Sequence, residues 1–162
     1  MQGQFLHYAN QYMPLLAFKG DVSIPEKWRT AERLAKRYSE LKKPIHIYYF
    51  GDFDPKGLTI PLSAWSDIGS WAAGLIMKQE GIDFKEASAV LHYHRVGINE
   101  EHIEELDIPE NPERPGTYQW EALDDEQAEK LIQQSTELLD QDAFEEAENE
   151  EGDITDRFRE KL

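Results

Sequence analysis

Ile45-His46-Ile47-Tyr48-Tyr49-Phe50-Gly51-Asp52-Phe53-Asp54-Pro55-Lys56-Gly57 is the stretch whose reading decides the fold. It opens on β-branched and aromatic residues, which suit a pleated, buried strand. Two carboxylates one residue apart follow, and Pro55 and Gly57 turn the chain away. Asp52 and Asp54 leave the strand end on the same side, with about 6–7 Å between their α-carbons if the backbone stays extended. Two readings are open at this point. One is an Asx-rich turn that ends the strand. The other is a divalent-ion site, since Mg²⁺ commonly takes one or two carboxylates, keeps several waters and completes its shell with substrate phosphate.

On the N-terminal side, Phe5, Leu6, Ala9, Tyr12 and Met13 have helical spacing over residues 4–13, and Leu15-Leu16-Ala17-Phe18 reads as a short strand. Ser23-Ile24-Pro25-Glu26 is a capping-box pattern with proline at the helix start. The helix it opens is expected to bury Trp28, Ala31, Leu34, Ala35, Tyr38 and Leu41. Lys27, Arg29, Arg33, Lys36, Arg37, Lys42 and Lys43 on its other face form the one basic concentration of the chain, read as a solvated face or a phosphate-facing patch.

On the C-terminal side, a second helix is expected from Pro61, using Leu62, Trp65, Ile68, Ala72, Leu75 and Ile76 and stopping near Gly81. Ala87 to Ile98 reads as a strand, and Asn99 caps a short acidic helix from Glu100 to Leu106. Residues 108–117, with three prolines and a glycine, exclude regular structure. An amphipathic helix follows from Asp124 with Ala128, Leu131, Ile132, Leu138 and Leu139 on one face. The expected organisation is one α/β domain over residues 1–148 and an acidic, flexible tail over 149–162. Alternating strands and helices imply parallel strands, whose ligands sit outside the strands' carboxyl ends, where Asp52 and Asp54 fall.

Thirty-three acids against seventeen bases leave a net charge of −16. Nucleic-acid binders normally carry the opposite excess, because Lys and Arg must displace counterions from phosphates. The chain has no cysteine, which excludes disulfides and thiolate metal sites and fits a cytoplasmic protein. It contains no membrane-length apolar run, so no membrane partner is expected.

Gly51-Asp52-Phe53-Asp54-Pro55-Lys56-Gly57 after an apolar strand resembles the Toprim domain, in the form found in the A subunit of topoisomerase VI and in small bacterial and phage proteins. The resemblance runs from about Leu15 to Leu139. It takes in His94-Arg95-Val96-Gly97-Ile98, Pro109-Glu110-Asn111-Pro112 and Trp120-Glu121-Ala122-Leu123. It implies a Toprim-like (Rossmann-like) α/β fold, a parallel sheet of about four strands flanked by helices. It also implies Mg²⁺- or Mn²⁺-dependent phosphodiester chemistry of the nuclease or topoisomerase kind, with DNA as partner. Carried over by position, Asp52 and Asp54 are the catalytic, metal-binding pair, and Gly51 and Gly57 shape the loop. Lys56, where relatives often have serine, and Arg95 are candidate phosphate contacts.

Two departures limit the resemblance. The family's first strand normally carries a glutamate, and here that strand would lie before Met1; Glu26, Glu32 and Glu40 fall on a surface helix. The chain is therefore expected to be incomplete at its N-terminus, with DNA binding supplied by the missing region or a partner protein. The segment after Pro112 is also short and omits a stretch that often holds Asp-Ser-Arg. Tyr48, Tyr49 and Tyr93 read as core. His46 reads as a sheet residue, while His92 and His94 share a strand face, plain surface or, with an acid, a metal site. Glu121 reads as a carboxylate at a helix start. The alternative function is a non-catalytic Toprim-like interaction module. A phosphatase using an Asp-x-Asp pair is a third reading, poorly served because Thr59 lies far beyond Asp54.

Overall fold

The computed structural model describes residues 15–17 and 21–135. The expected helix at 4–13, Phe18, Leu138, Leu139 and the acidic tail lie outside them. The first helix, α1 (Ile24–Leu41), begins as its capping box dictates: the Ser23 hydroxyl accepts from the Glu26 N–H, and the Glu26 carboxylate accepts from the Ser23 N–H at 3.3 Å. It stops at Lys42, which still donates its N–H to the Tyr38 carbonyl and whose left-handed φ of 52° then turns the chain out of the helix. Ala31, Leu34 and Ala35 are buried as their spacing predicts. Trp28 and Leu41 are not: they stay 42% and 44% exposed, Trp28 resting its ring 5.8 Å from that of Trp71.

Strand β1 (Ile45–Phe50) follows, then α2 (Pro55–Glu80), a 26-residue helix about 39 Å long. This helix starts six residues before the expected Pro61. Asp54 caps it and Pro55 takes the first helical position, where a missing N–H costs nothing. Pro61 is accommodated inside. Gly81, at φ 68°, ends the helix as expected.

The expected strand from Ala87 is shorter than its apolar pattern suggests. Asp83 and Glu86 cap each other's backbone N–H groups (3.2 and 2.8 Å) and open a short helix, α3 (Phe84–Ala89), so the strand β2 covers only Leu91–Gly97. Helix α4 (Glu100–Glu105) lies where the Asn99 signal places it. After the irregular residues 106–119 come a 3₁₀ turn, Trp120–Ala122, and a helix α5 through residues 125–135, opened by reciprocal bonds between Asp124 and Gln127.

The chain is thus mixed α/β, with a two-stranded parallel sheet among the described residues rather than about four strands. Of the segments read as strands within the chain, the one at Leu15 does not form and the one at Ala87 forms in shortened form. Residues 15–17 are exposed and carry no strand hydrogen bonding, and the front of the second segment is claimed by the Asp83 cap. The two strands pair from Ile45↔Leu91 to Tyr49↔Arg95, then Phe50↔Gly97, so Val96 is an extra residue in β2. Such a bulge re-aims neighbouring side chains.

Period-two alternation sends the faces of the sheet to different cores. Ile45, Ile47 and Leu91 pack with Ala31, Leu34, Ala64, Ile68 and Ala72 under α1 and α2. Phe50 joins the second core, built from Ile98, Ile108, Trp120, Leu123, Ala128, Leu131 and Ile132. The loop from Gly51 to Asp54 leaves β1 where these two cores meet.

Candidate functional site

Backbone pairing fixes the exit from β1. The Gly51 N–H donates to the Gly97 carbonyl at 2.7 Å, and the Ile98 N–H donates to the Gly51 carbonyl at 2.6 Å. Two residues on, Phe53 and Tyr118 exchange both backbone bonds, at 2.8 and 2.9 Å, and pin the loop to the segment before Trp120. Asp54 then accepts the Gly57 N–H as the cap of α2. Both glycines sit at close approaches, to backbone at Gly57 and to the end of a side chain at Gly51. A Cβ at Gly51 would run into the Tyr49 ring, and one at Gly57 would overlap the Asp52 carbonyl oxygen and stand 3.0 Å from Asp54 Oδ1.

Asp52 Oδ1 accepts the Trp120 backbone N–H at 2.7 Å, a bond between residues 68 apart in the chain. Burial pushes the Asp52 carboxyl above the usual carboxylate range; Glu121 and Asp54 push the same way, while the Trp120 N–H and Arg95 oppose them. Asp54 thus acts on Asp52, and each has one oxygen on a backbone N–H. That leaves Oδ2 of each carboxylate without a hydrogen bond among the described residues. Carboxylate oxygens are the donor type that a largely hydrated Mg²⁺ takes, with water and phosphate completing its shell. Among the described residues no three of His, Cys, Asp and Glu converge as a metal group.

Arg95 lies at the same edge, facing inward. Its Nε donates to Asn99 Oδ1 at 3.1 Å, its Nη1 to the Gly57 carbonyl at 2.8 Å, and its Nη2 to the carbonyls of Asp52 at 2.8 Å and Ile98 at 3.0 Å. Its guanidinium lies 5.3 Å from the centre of the Tyr49 ring. Burial raises the Tyr49 phenol above its ordinary range, with Arg95 pulling the other way and the charges of Asp52 and Asp54 adding to the rise. Lys56, at the second position of α2, is exposed.

The structure thus brings Gly51, Asp52, Asp54, Gly57 and Arg95 together at the carboxyl end of β1. Tyr49, whose place in an apolar run suggests a core residue, stands beside this loop. Glu121 was read only as a carboxylate at a helix start, and it acts on Asp52. The Trp120 N–H, a backbone group, left no signal in the sequence. Away from the loop, His46, His92 and His94 share one face of the sheet, with His46 Nδ1 3.0 Å from His94 Nε2 and the His46 and His92 rings stacked at 4.7 Å. The Tyr93 phenol, on the other face, is pushed up to about 12 by burial.

No helix among the described residues is long and apolar enough to cross a membrane. No family model, curated protein or solved structure matches this chain, so the likeness to the Toprim domain stands on the motif residues alone.

Proposed function

We propose that this chain carries a Toprim-like metal site at which Asp52 and Asp54 hold Mg²⁺ or Mn²⁺ for phosphodiester chemistry on DNA. The observation that carries this reading is the pair of carboxylates on one turn at the carboxyl end of a parallel strand, each with one oxygen on a backbone N–H and the other without a hydrogen bond among the described residues. Holding two like charges near one another in a partly dry setting is unfavourable, and a cation relieves it. When bound, the ion would neutralise charge on a phosphodiester and on its leaving oxygen. The chain's own part is to hold the acids: Trp120 and Gly57 orient one oxygen of each, and the Gly51 pairing locks the loop to both strands. A net charge of −16 repels DNA, so productive contact requires basic surface from a further segment or a partner protein.

Calorimetric titration of Mg²⁺ into the chain and into D52N and D54N tests the reading. Heat of binding in the parent that vanishes in both variants supports it; identical traces for all three remove it. One observation favours a second reading, a non-catalytic interaction module. Both aspartates already have structural employment, Asp54 as a helix cap and Asp52 as the acceptor for Trp120. Capture of a basic partner protein unchanged by D52N, together with no Mg²⁺ heat, would favour the module.

A further inference from the structure

We infer that Arg95 is a positioning residue that shapes the Asp52–Gly57 loop, and that Pro61 is what makes room for it. In a regular helix the N–H of residue 61 would donate to the carbonyl of residue 57. Pro61 has no N–H, so the Gly57 carbonyl is left over at the start of α2. The Arg95 Nη1 fills that vacancy at 2.8 Å. Its Nη2 holds the Asp52 carbonyl and the Ile98 carbonyl, and its Nε holds Asn99.

One guanidinium therefore joins the first and last residues of the acidic turn to the end of β2. Nε, Nη1 and Nη2 are all engaged by acceptors of this chain, which turns the side chain toward the loop rather than toward an incoming phosphate. The planar, forked donor set is what the arrangement demands. A lysine brings the same charge with three donors on a single atom, and it cannot span carbonyls that belong to residues 52, 57 and 98. The Val96 bulge beside it accounts for the aim, since the extra residue sits between Arg95 and the Gly97 that pairs with Phe50.

The consequence is a coupling between backbone and carboxylates. Gly57 supplies the N–H that orients Asp54, and the backbone of Asp52 sets where its carboxylate meets Trp120. Releasing the two carbonyls frees both acids from their orientation, although Arg95 touches neither carboxylate in a hydrogen bond.

The test is amide hydrogen exchange by NMR on the full chain, comparing R95K, R95Q and N99A with the parent. Ile68 and Ala72 in the middle of α2 serve as references for global stability. We expect Gly57 and Trp120 to exchange at least about tenfold faster than in the parent, relative to those references, in both R95K and R95Q, as loss of charge-assisted bonds implies. N99A removes the Nε acceptor, together with the long Asn99 Nδ2 bonds to the Arg95 and Val96 carbonyls and to Glu101, and should accelerate Gly57 by about threefold. Parent-like exchange at Gly57 and Trp120 in R95K overturns the proposal, because charge alone would then suffice. If neither Arg95 variant folds, N99A decides, and an unaltered Gly57 rate there overturns it. A parallel Mn²⁺ titration rests on the metal reading above: R95K should bind at least about tenfold more weakly. Should the parent bind no Mn²⁺, that reading fails while the exchange rates still judge Arg95.

Discussion

Gly57→Ala sets two physical effects against each other, and their signs differ. Gly57 is the third helical residue of α2, where replacing glycine by alanine ordinarily stabilises by about 1 kcal/mol. The structure opposes this gain. The added Cβ overlaps the Asp52 carbonyl oxygen, which is backbone and cannot swing aside, and it stands 3.1 Å from the Asp52 carbonyl carbon. Forcing an atom into such a site costs about 1–3 kcal/mol. Moving the Asp52 carbonyl also weakens the 2.8 Å bond it accepts from Arg95, a further loss of about 1 kcal/mol. With the helix gain subtracted, the variant should be less stable by about 1–3 kcal/mol. For a chain of this size that lowers the melting temperature by roughly 2–12 °C. Urea and thermal unfolding followed by circular dichroism measure both quantities. A variant as stable as the parent, or more so, would refute the close approach of Gly57 to Asp52 and the loop geometry built on it.

Three further outcomes follow from the same geometry. Trp120→Ala removes a side chain that is 1% exposed and packs edge-on against Phe50 at 5.6 Å, so urea unfolding should show a loss of about 3–5 kcal/mol. Asp52 changes the pH dependence. Its folded carboxyl lies above its ordinary value of 3.8, so within that window the native state binds more protons than the unfolded chain, and stability falls as pH rises. D52N cannot titrate and keeps an oxygen for Trp120; unfolding at pH 4 and pH 7 should therefore show the parent losing ground to D52N as pH rises, and the opposite trend contradicts the burial of this charge. Ser23→Ala strips the α1 cap and should cost about 1 kcal/mol in the same assay, with no effect on Mg²⁺ binding.

Elements governed by local chemistry were legible in the sequence. Ser23 to Glu26 announced α1, Gly81 the end of α2, Asn99 the start of α4, and the aromatic run Ile45–Phe50 the strand that carries the acids. The structure departs from the local pattern where two signals compete. Pro61 reads as a helix start, but Asp54 followed by Pro55 is an earlier and stronger one, and the helix tolerates the later proline because Arg95 serves the carbonyl it strands. The apolar spacing of Ala87 to Ile98 suits a strand, but Asp83 and Glu86 convert its front into a helix. Within the site, Asp52 and Asp54 could be named from spacing because both hang from one turn. The bonds from Arg95 and Trp120 span 43 and 68 residues, and no pattern in a single chain encodes which backbone carbonyl or N–H such partners meet.

The most direct test of the central claim is paramagnetic broadening of amide resonances by Mn²⁺. If Asp52 and Asp54 share an ion, substoichiometric Mn²⁺ should erase the signals of Gly57 and Trp120 first, added Mg²⁺ should restore them, and D52N should abolish the effect. Equal broadening of the dispersed surface acids, with Gly57 and Trp120 spared, would contradict it.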